Sequence, residues 1–169
     1  MNTTALIYSF KSNKSAQVAK KINEEWGKNI DLVDADTLTD EQFMAYQNYI
    51  LGVPTWFDGE LPNYWDEFIP AMEELNLKGK KFAIYGNGDQ KNYPENFVDG
   101  IGIMAELIEV LGGEIIGFTE TEGYNFEKSF AVRGQKLCGL ALDFENQNKQ
   151  NIPRIVSWIK QLKAETTQE

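Results

Sequence analysis

The sequence predicts an α/β protein built on one doubly wound, five-stranded parallel sheet in the order 2-1-3-4-5, with an insertion in the fifth strand. Three observations predict it. Short apolar runs recur along the chain and suit strands buried on both faces. Segments of helical period separate them, so strand and helix alternate from end to end. The last apolar run leads into a stretch with neither period, which interrupts or doubles the fifth strand. Five strands wound in this way take the order 2-1-3-4-5.

The apolar runs are residues 5–8, 30–33, 49–53, 82–85 and 115–118. Between the first two, Val18, Ala19, Ile22 and Trp26 share one helical face, and Gly27 stops the segment. A weaker helical segment, 64–75, is interrupted by Pro70. The segment 99–111 carries Ile101, Met104, Leu107, Ile108 and Leu111 ahead of Gly112-Gly113. The last helix is read with Pro153 near its start and Ile155, Val156, Ile159 and Leu162 along its face. The insertion covers about 117–142 and includes Gly123, Gly134 and Gly139. Residues 164–169 are expected to fray.

A chain of 169 residues, 42% hydrophobic and 25% charged, fits one domain, 1–169, with a real core. A working monomer is expected. No apolar run approaches the ~20 residues of a membrane-spanning helix. The start of the chain has neither the basic region nor the apolar stretch of a signal peptide. One cysteine, Cys138, allows no internal disulfide and suits a reducing compartment, so a cytoplasmic location is expected. The absence of histidine excludes His-based triads, His zinc sites and His acid–base chemistry. The net charge of -10 disfavours nucleic acid and anionic membranes, and favours partners with basic docking faces.

In open α/β sheets ligands bind beyond the carboxyl ends of the strands. Three loops therefore matter. The first, Ser9-Phe10-Lys11-Ser12-Asn13-Lys14-Ser15, joins a strand to a helix N-terminus, where free amides and the helix dipole attract an anion. Its plainer reading is a helix cap by Ser12 or Asn13. The second, residues 54–62, places Trp56 in a turn between Pro54 and Gly59, as a stacking plate or as packing against a helix. The third, residues 86–97, is polar and glycine-rich and carries Tyr93; alone it reads as a solvated loop. Together the three supply an anion nest, two aromatic plates and turns with free peptide groups. A planar, phosphorylated heterocycle uses all of them. The run Gly100-Ile101-Gly102-Ile103-Met104-Ala105 matches a dinucleotide fingerprint by letter only, because it lies inside a helical segment.

Several motifs resemble those of the long-chain flavodoxins of the cyanobacterial and algal type. They are Gly52-Val53-Pro54-Thr55-Trp56 with Gly59-Glu60-Leu61, then Gly88-Asp89-Gln90 with Tyr93 and Asn96-Phe97, then Gly139-Leu140-Ala141-Leu142-Asp143. The resemblance runs from Ala5 to about Leu162 and implies a flavodoxin-like fold. It implies an electron-transfer protein, not an enzyme: a low-potential one-electron carrier with non-covalent FMN. Its partners would include ferredoxin–NADP reductase and, in a photosynthetic cell, photosystem I. An FMN-dependent quinone or nitro reductase of the same fold is the alternative. The resemblance implies a phosphate held by Ser12, Asn13, Lys14 and Ser15, with Phe10 and Lys11 completing that loop. It implies Trp56 and Tyr93 flanking the isoalloxazine ring. Pro54, Thr55, Phe57, Asn87, Gly88, Asp89 and Asn96 complete the cofactor-binding set, and no metal is implied. The family pattern Thr-x-Thr-Gly-x-Thr is altered here, with Phe10 in place of the first hydroxyl and Asn13 in place of the glycine.

Overall fold

Five uncharged residues, Thr4–Tyr8, form β1, and the complete burial of Ala5, Leu6 and Ile7 on its two faces places it inside the sheet. A computed structural model describes residues 2–167. In it β1 pairs in parallel with β2 (Ile30–Asp34) and with β3 (Asn48–Gly52), and β3 pairs with β4 (Lys81–Asn87). The free edge of β4 carries two short strands. β5 (Glu114–Ile116) pairs with its first half, and the last strand of the chain, Leu140–Leu142, pairs with its second half. The order is therefore 2-1-3-4-5, with the fifth strand split in two.

Two layers of helix cover the sheet. α1 (Asn13–Trp26) buries Val18, Ala19 and Ile22 against Leu6, Ile50, Ala83 and Tyr85. α2 (Asp40–Met44) is short, starts with a Thr39–Gln42 capping box and drives Phe43 into the core. α3 (Asn63–Met72) and α4 (Asp99–Val110) cover the opposite face, where Trp65, Phe68, Ile101 and Met104 meet Ile7, Leu51, Phe82 and Ile84. α5 (Asn148–Thr167) joins α1 on the first face through Ile155, Trp158, Ile159 and Leu162.

The expected elements differ at their ends. α5 begins five residues before Pro153. Its first turns are polar and show no apolar period; they are tied down by the buried Asn151, which accepts the Asp143 amide at 3.2 Å. The expected fraying from residue 164 is not found as far as Thr167, and Gln168 and Glu169 lie outside the described residues. Glu165 explains the order, because its carboxylate accepts the Gly117 amide at 2.8 Å. α3 continues through Pro70 to Met72. α2 was not foreseen, since a helix of five residues is too short to show a period.

Residues between β5 and Leu140 form a small antiparallel sheet of β6 (Thr119–Glu120), β7 (Val132–Arg133) and β8 (Lys136–Leu137), in the order β6-β8-β7. The chain then returns to β4 as β9 (Leu140–Leu142). Among the described residues no helix is long and apolar enough to cross a membrane. Burial pushes the Cys138 thiol up to about 11, so it stays protonated at neutral pH.

The glycines of the dinucleotide-like run are explained by packing. A methyl group on Gly102 would stand 2.1 Å from the Phe130 carbonyl oxygen, where the insertion crosses α4. Both contacting groups are backbone, so neither side can yield cheaply. Gly102→Ala is expected to destabilise the fold by about 1–3 kcal/mol, as overpacking does. A fall in the urea midpoint with an unchanged slope would show it, and an unchanged midpoint would mean the insertion is not seated on α4.

Candidate functional site

The carboxyl ends of β1, β3 and β4 point the same way, so the loops that follow them meet at one edge of the sheet. They enclose a cavity of about 240 Å³. The first loop contributes Lys14, the second Thr55 and Phe57, and the third Asn87, Gly88, Asp89, Tyr93 and Asn96. A fourth segment, between β9 and α5, contributes Glu145. A larger hollow of about 590 Å³ lies between the insertion and α5, but it collects none of the three loops.

In the first loop Ser12 is the N-cap residue of α1, yet its side chain makes no capping bond. The amides of Lys11, Asn13, Lys14 and Ser15 have no acceptor among the described residues. Four open donors at a helix N-terminus, with the Ser12 and Ser15 hydroxyls beside them, match the needs of a phosphate. Phe10 stands apart from that set. Its amide donates to the Asp34 carboxylate at 3.2 Å, and its ring packs on Tyr8 at 4.9 Å. The Ser9 hydroxyl donates to Asp36.

In the second loop Trp56 and Glu60 exchange two backbone hydrogen bonds of 2.7 Å and close a three-residue turn. That turn forces Phe57 to φ +50° and Gly59 to φ +96°. A side chain at Gly59 would also strike the Asp99 carboxylate at 2.6 Å. Pro54 is buried beneath the loop, and the Thr55 hydroxyl accepts the Gly100 amide at 2.8 Å. Trp56 is half-buried and meets the Tyr64 ring of α3 edge-on at 6.0 Å, so the packing alternative is realised on its inner side. The Tyr64 hydroxyl is buried without a hydrogen-bond partner among the described residues. Phe57, 73% exposed, is the aromatic of this loop that reaches the cavity, facing the loop of Tyr93, which is 50% exposed.

The third loop is held by two carboxylates. Asp89 accepts hydrogen bonds from the Lys91 and Asn92 amides at 3.2 and 3.0 Å, and from the Asn92 and Asn146 side chains at 2.8 Å. Desolvation raises its pKa, but these bonds outweigh it and hold the carboxyl below its usual range. The buried Asp143 accepts the Gln90 amide at 3.1 Å and its side chain at 2.8 Å. Gln90 in turn accepts the Asn125 amide of the insertion at 2.6 Å. Phe97 stacks on Phe126 at 5.1 Å, so the insertion braces this loop from outside.

Sequence reasoning missed Gln90, Asp143 and Glu145 as site residues. Asp143 closes one of the motifs above, but its partner lies 53 residues away and nothing local reveals the contact.

A family model described as flavodoxin matches residues 6–165. A flavodoxin of Trichodesmium erythraeum is 42% identical over 168 residues, covering 98% of each chain. Flavodoxin 1 of Escherichia coli K12 is 35% identical over 98% of this chain and 95% of its own. Among solved structures, a Fusobacterium nucleatum flavodoxin bound to flavin mononucleotide superposes with a TM-score of 0.91 at 29% identity, covering 98% of this chain and 99% of that one.

Asp89 makes the third loop pH-sensitive in a defined direction. Its folded pKa is depressed, so its stabilisation is complete above about pH 4 and is lost as pH falls through the lowered value. Hydrogen-exchange protection across residues 88–97 should stay level down to about pH 4 and then drop. In Asp89→Ala it should be low at every pH. A variant as protected as the parent would show that Asp89 does not hold the loop.

Proposed function

The chain belongs to the flavodoxin family, and from that premise we propose that it carries single electrons between redox enzymes on one non-covalently bound FMN, the whole chain forming a single FMN-binding domain. The observation that carries this reading is the convergence of all three loops on one cavity beside four open amides. The family consists of electron-transfer proteins, which favours a carrier over a reductase of the same fold.

The residues divide the work. The amides of residues 13–15 and the Ser12 and Ser15 hydroxyls hold the phosphate, and Lys11 and Lys14 supply positive charge. Tyr93 and Trp56 flank the ring, Trp56 from its place against Tyr64 outside the cavity lining, and Phe57, which lines the cavity, shields the ring's edge. Thr55, Asn87, Gly88, Asp89 and Asn96 hold ring and ribityl groups, largely through backbone. Phe10 and Pro54 shape their loops. Bound FMN takes up and releases electrons one at a time. With FMN bound, a peptide carbonyl of residues 57–59 would accept a hydrogen bond from the ring, and Gly59 leaves the turn freer to rotate a peptide.

The acidic surface steers partners with basic docking faces, among them ferredoxin–NADP reductase and, in a photosynthetic cell, photosystem I. We place the protein in the cytoplasm as a monomer. The test of the cofactor is direct: the purified protein should be yellow, and mass spectrometry of the heat-released chromophore should read FMN. Finding FAD would overturn the reading.

Two variants test the roles. Ser15→Ala should weaken FMN binding by about 1.5–3 kcal/mol, one hydrogen bond to a charged group. Calorimetry showing parental affinity would misplace the phosphate. Asp58 and Glu60 lie in the second loop, and Lys91 is the only basic residue in the second and third loops. With FMN bound, carboxylates in this loop would oppose added negative charge on the ring. Replacing both by Asn and Gln should raise the second reduction potential by tens of millivolts, and the first by less. Equal shifts in a spectroelectrochemical titration would remove the electrostatic explanation.

A further inference from the structure

Among the described residues, Lys14 is the only cationic side chain lining the site cavity, and it is already engaged. Its Nζ lies 2.6 Å from a Glu145 carboxylate oxygen, a contact that spans 131 residues of sequence. Glu145 lines the same cavity. Its position is fixed from below, because the Glu145 amide donates to the buried Asp143 carboxylate at 3.1 Å. Lys14 is steadied as well, with its ammonium 5.8 Å from the centre of the Phe144 ring. The two side chains are 42% and 55% exposed, so the pair is weak and open to exchange.

We propose that Glu145 sets how strongly this protein distinguishes a phosphorylated flavin from the same flavin without phosphate, by competing with the phosphate for Lys14. The inference rests on the FMN reading above. A phosphate held by the amides of residues 13–15 sits at the start of α1, beside Lys14. It carries about two negative charges near neutral pH and attracts an ammonium more strongly than one carboxylate does. To use Lys14 it must draw the ammonium away from Glu145. It must then tolerate an unpaired carboxylate at the rim of the same cavity. Riboflavin has the same ring and ribityl chain but no phosphate, and it meets neither penalty. Glu145 thus weakens FMN selectively.

The test uses the apoprotein, titrated with FMN and separately with riboflavin, each followed by quenching of flavin fluorescence. Glu145→Gln keeps the side chain's size and removes its charge. At low ionic strength it should bind FMN about three- to tenfold more tightly than the parent, with riboflavin affinity unchanged. The gain should shrink as salt rises. It should also shrink when Lys14→Gln is already in place. FMN and riboflavin tightening together, or a gain indifferent to Lys14→Gln, would overturn the proposal and assign Glu145 to packing. So would an unchanged FMN-to-riboflavin ratio in a protein that binds FMN. Failure of the parent to bind FMN at all would instead overturn the cofactor reading, and this inference with it.

Discussion

A buried carboxylate at the end of the split fifth strand holds the loop edge of the sheet in order. Asp143 is fully buried, and a lone charge there would be costly. Its oxygens are saturated instead, by the amides of Gln90, Glu145 and Asn146 and by the side chains of Gln90 and Asn146. One residue earlier, the Leu142 carbonyl accepts the Gly88 amide at 2.9 Å. The register of β9 on β4 therefore reaches the third loop through Gln90. It reaches Lys14 through Glu145, and Asp89 through Asn146. The first and third loops share one post.

The site is a cation-poor place in an anionic protein. Lys14 stands near Glu145, and Asp34, Asp36 and Asp89 surround the loops. An anion held here depends on backbone donors more than on charge. Backbone N–H groups suit that task because their dipoles are fixed and cannot be neutralised by a rearranged side chain. This tolerance of sequence explains how Phe10 and Asn13 can replace a hydroxyl and a glycine in the first loop. The lost hydroxyl removes one side-chain donor, while the amides of residues 11 and 13–15 stay open.

The fold was legible because its signals are local. Apolar runs marked all five strand positions, and Ile115 with its neighbours marked the first half of the split one. The insertion showed itself by lacking any period. Helix ends were less legible: polar contacts through Asn151 and Glu165, not apolar spacing, set both ends of α5. At the site, the three loops and most of the cavity residues could be read from strand ends and from family motifs. Glu145 and Gln90 could not. Their partners are far away in sequence, and an isolated Glu or Gln on a loop reads as solvated surface. Trp56 and Phe57 show a finer limit. Phe57 lines the cavity while Trp56 packs edge-on against Tyr64, a division that two adjacent aromatics in the sequence do not reveal.

The split strand has a consequence for how such a protein can be altered. Ile116 pairs with Ala83 and Leu140 with Tyr85, so the two ends of the insertion leave β4 only two residues apart, about 7 Å along the strand. Twenty or so residues depart and return at almost the same point, and the hydroxyl of Thr119 bonds the Gly139 carbonyl across the neck at 2.6 Å. A segment with closely spaced ends behaves as a cassette: lengthening it adds little loop-closure entropy. That neck is a ready port for grafting a whole foreign module, such as a fluorescent domain or an affinity tag, while the strands on either side keep their registry. The graft would hang from the sheet edge opposite β2, and the brace that Asn125 and Phe126 give the Tyr93 loop would have to be kept or rebuilt.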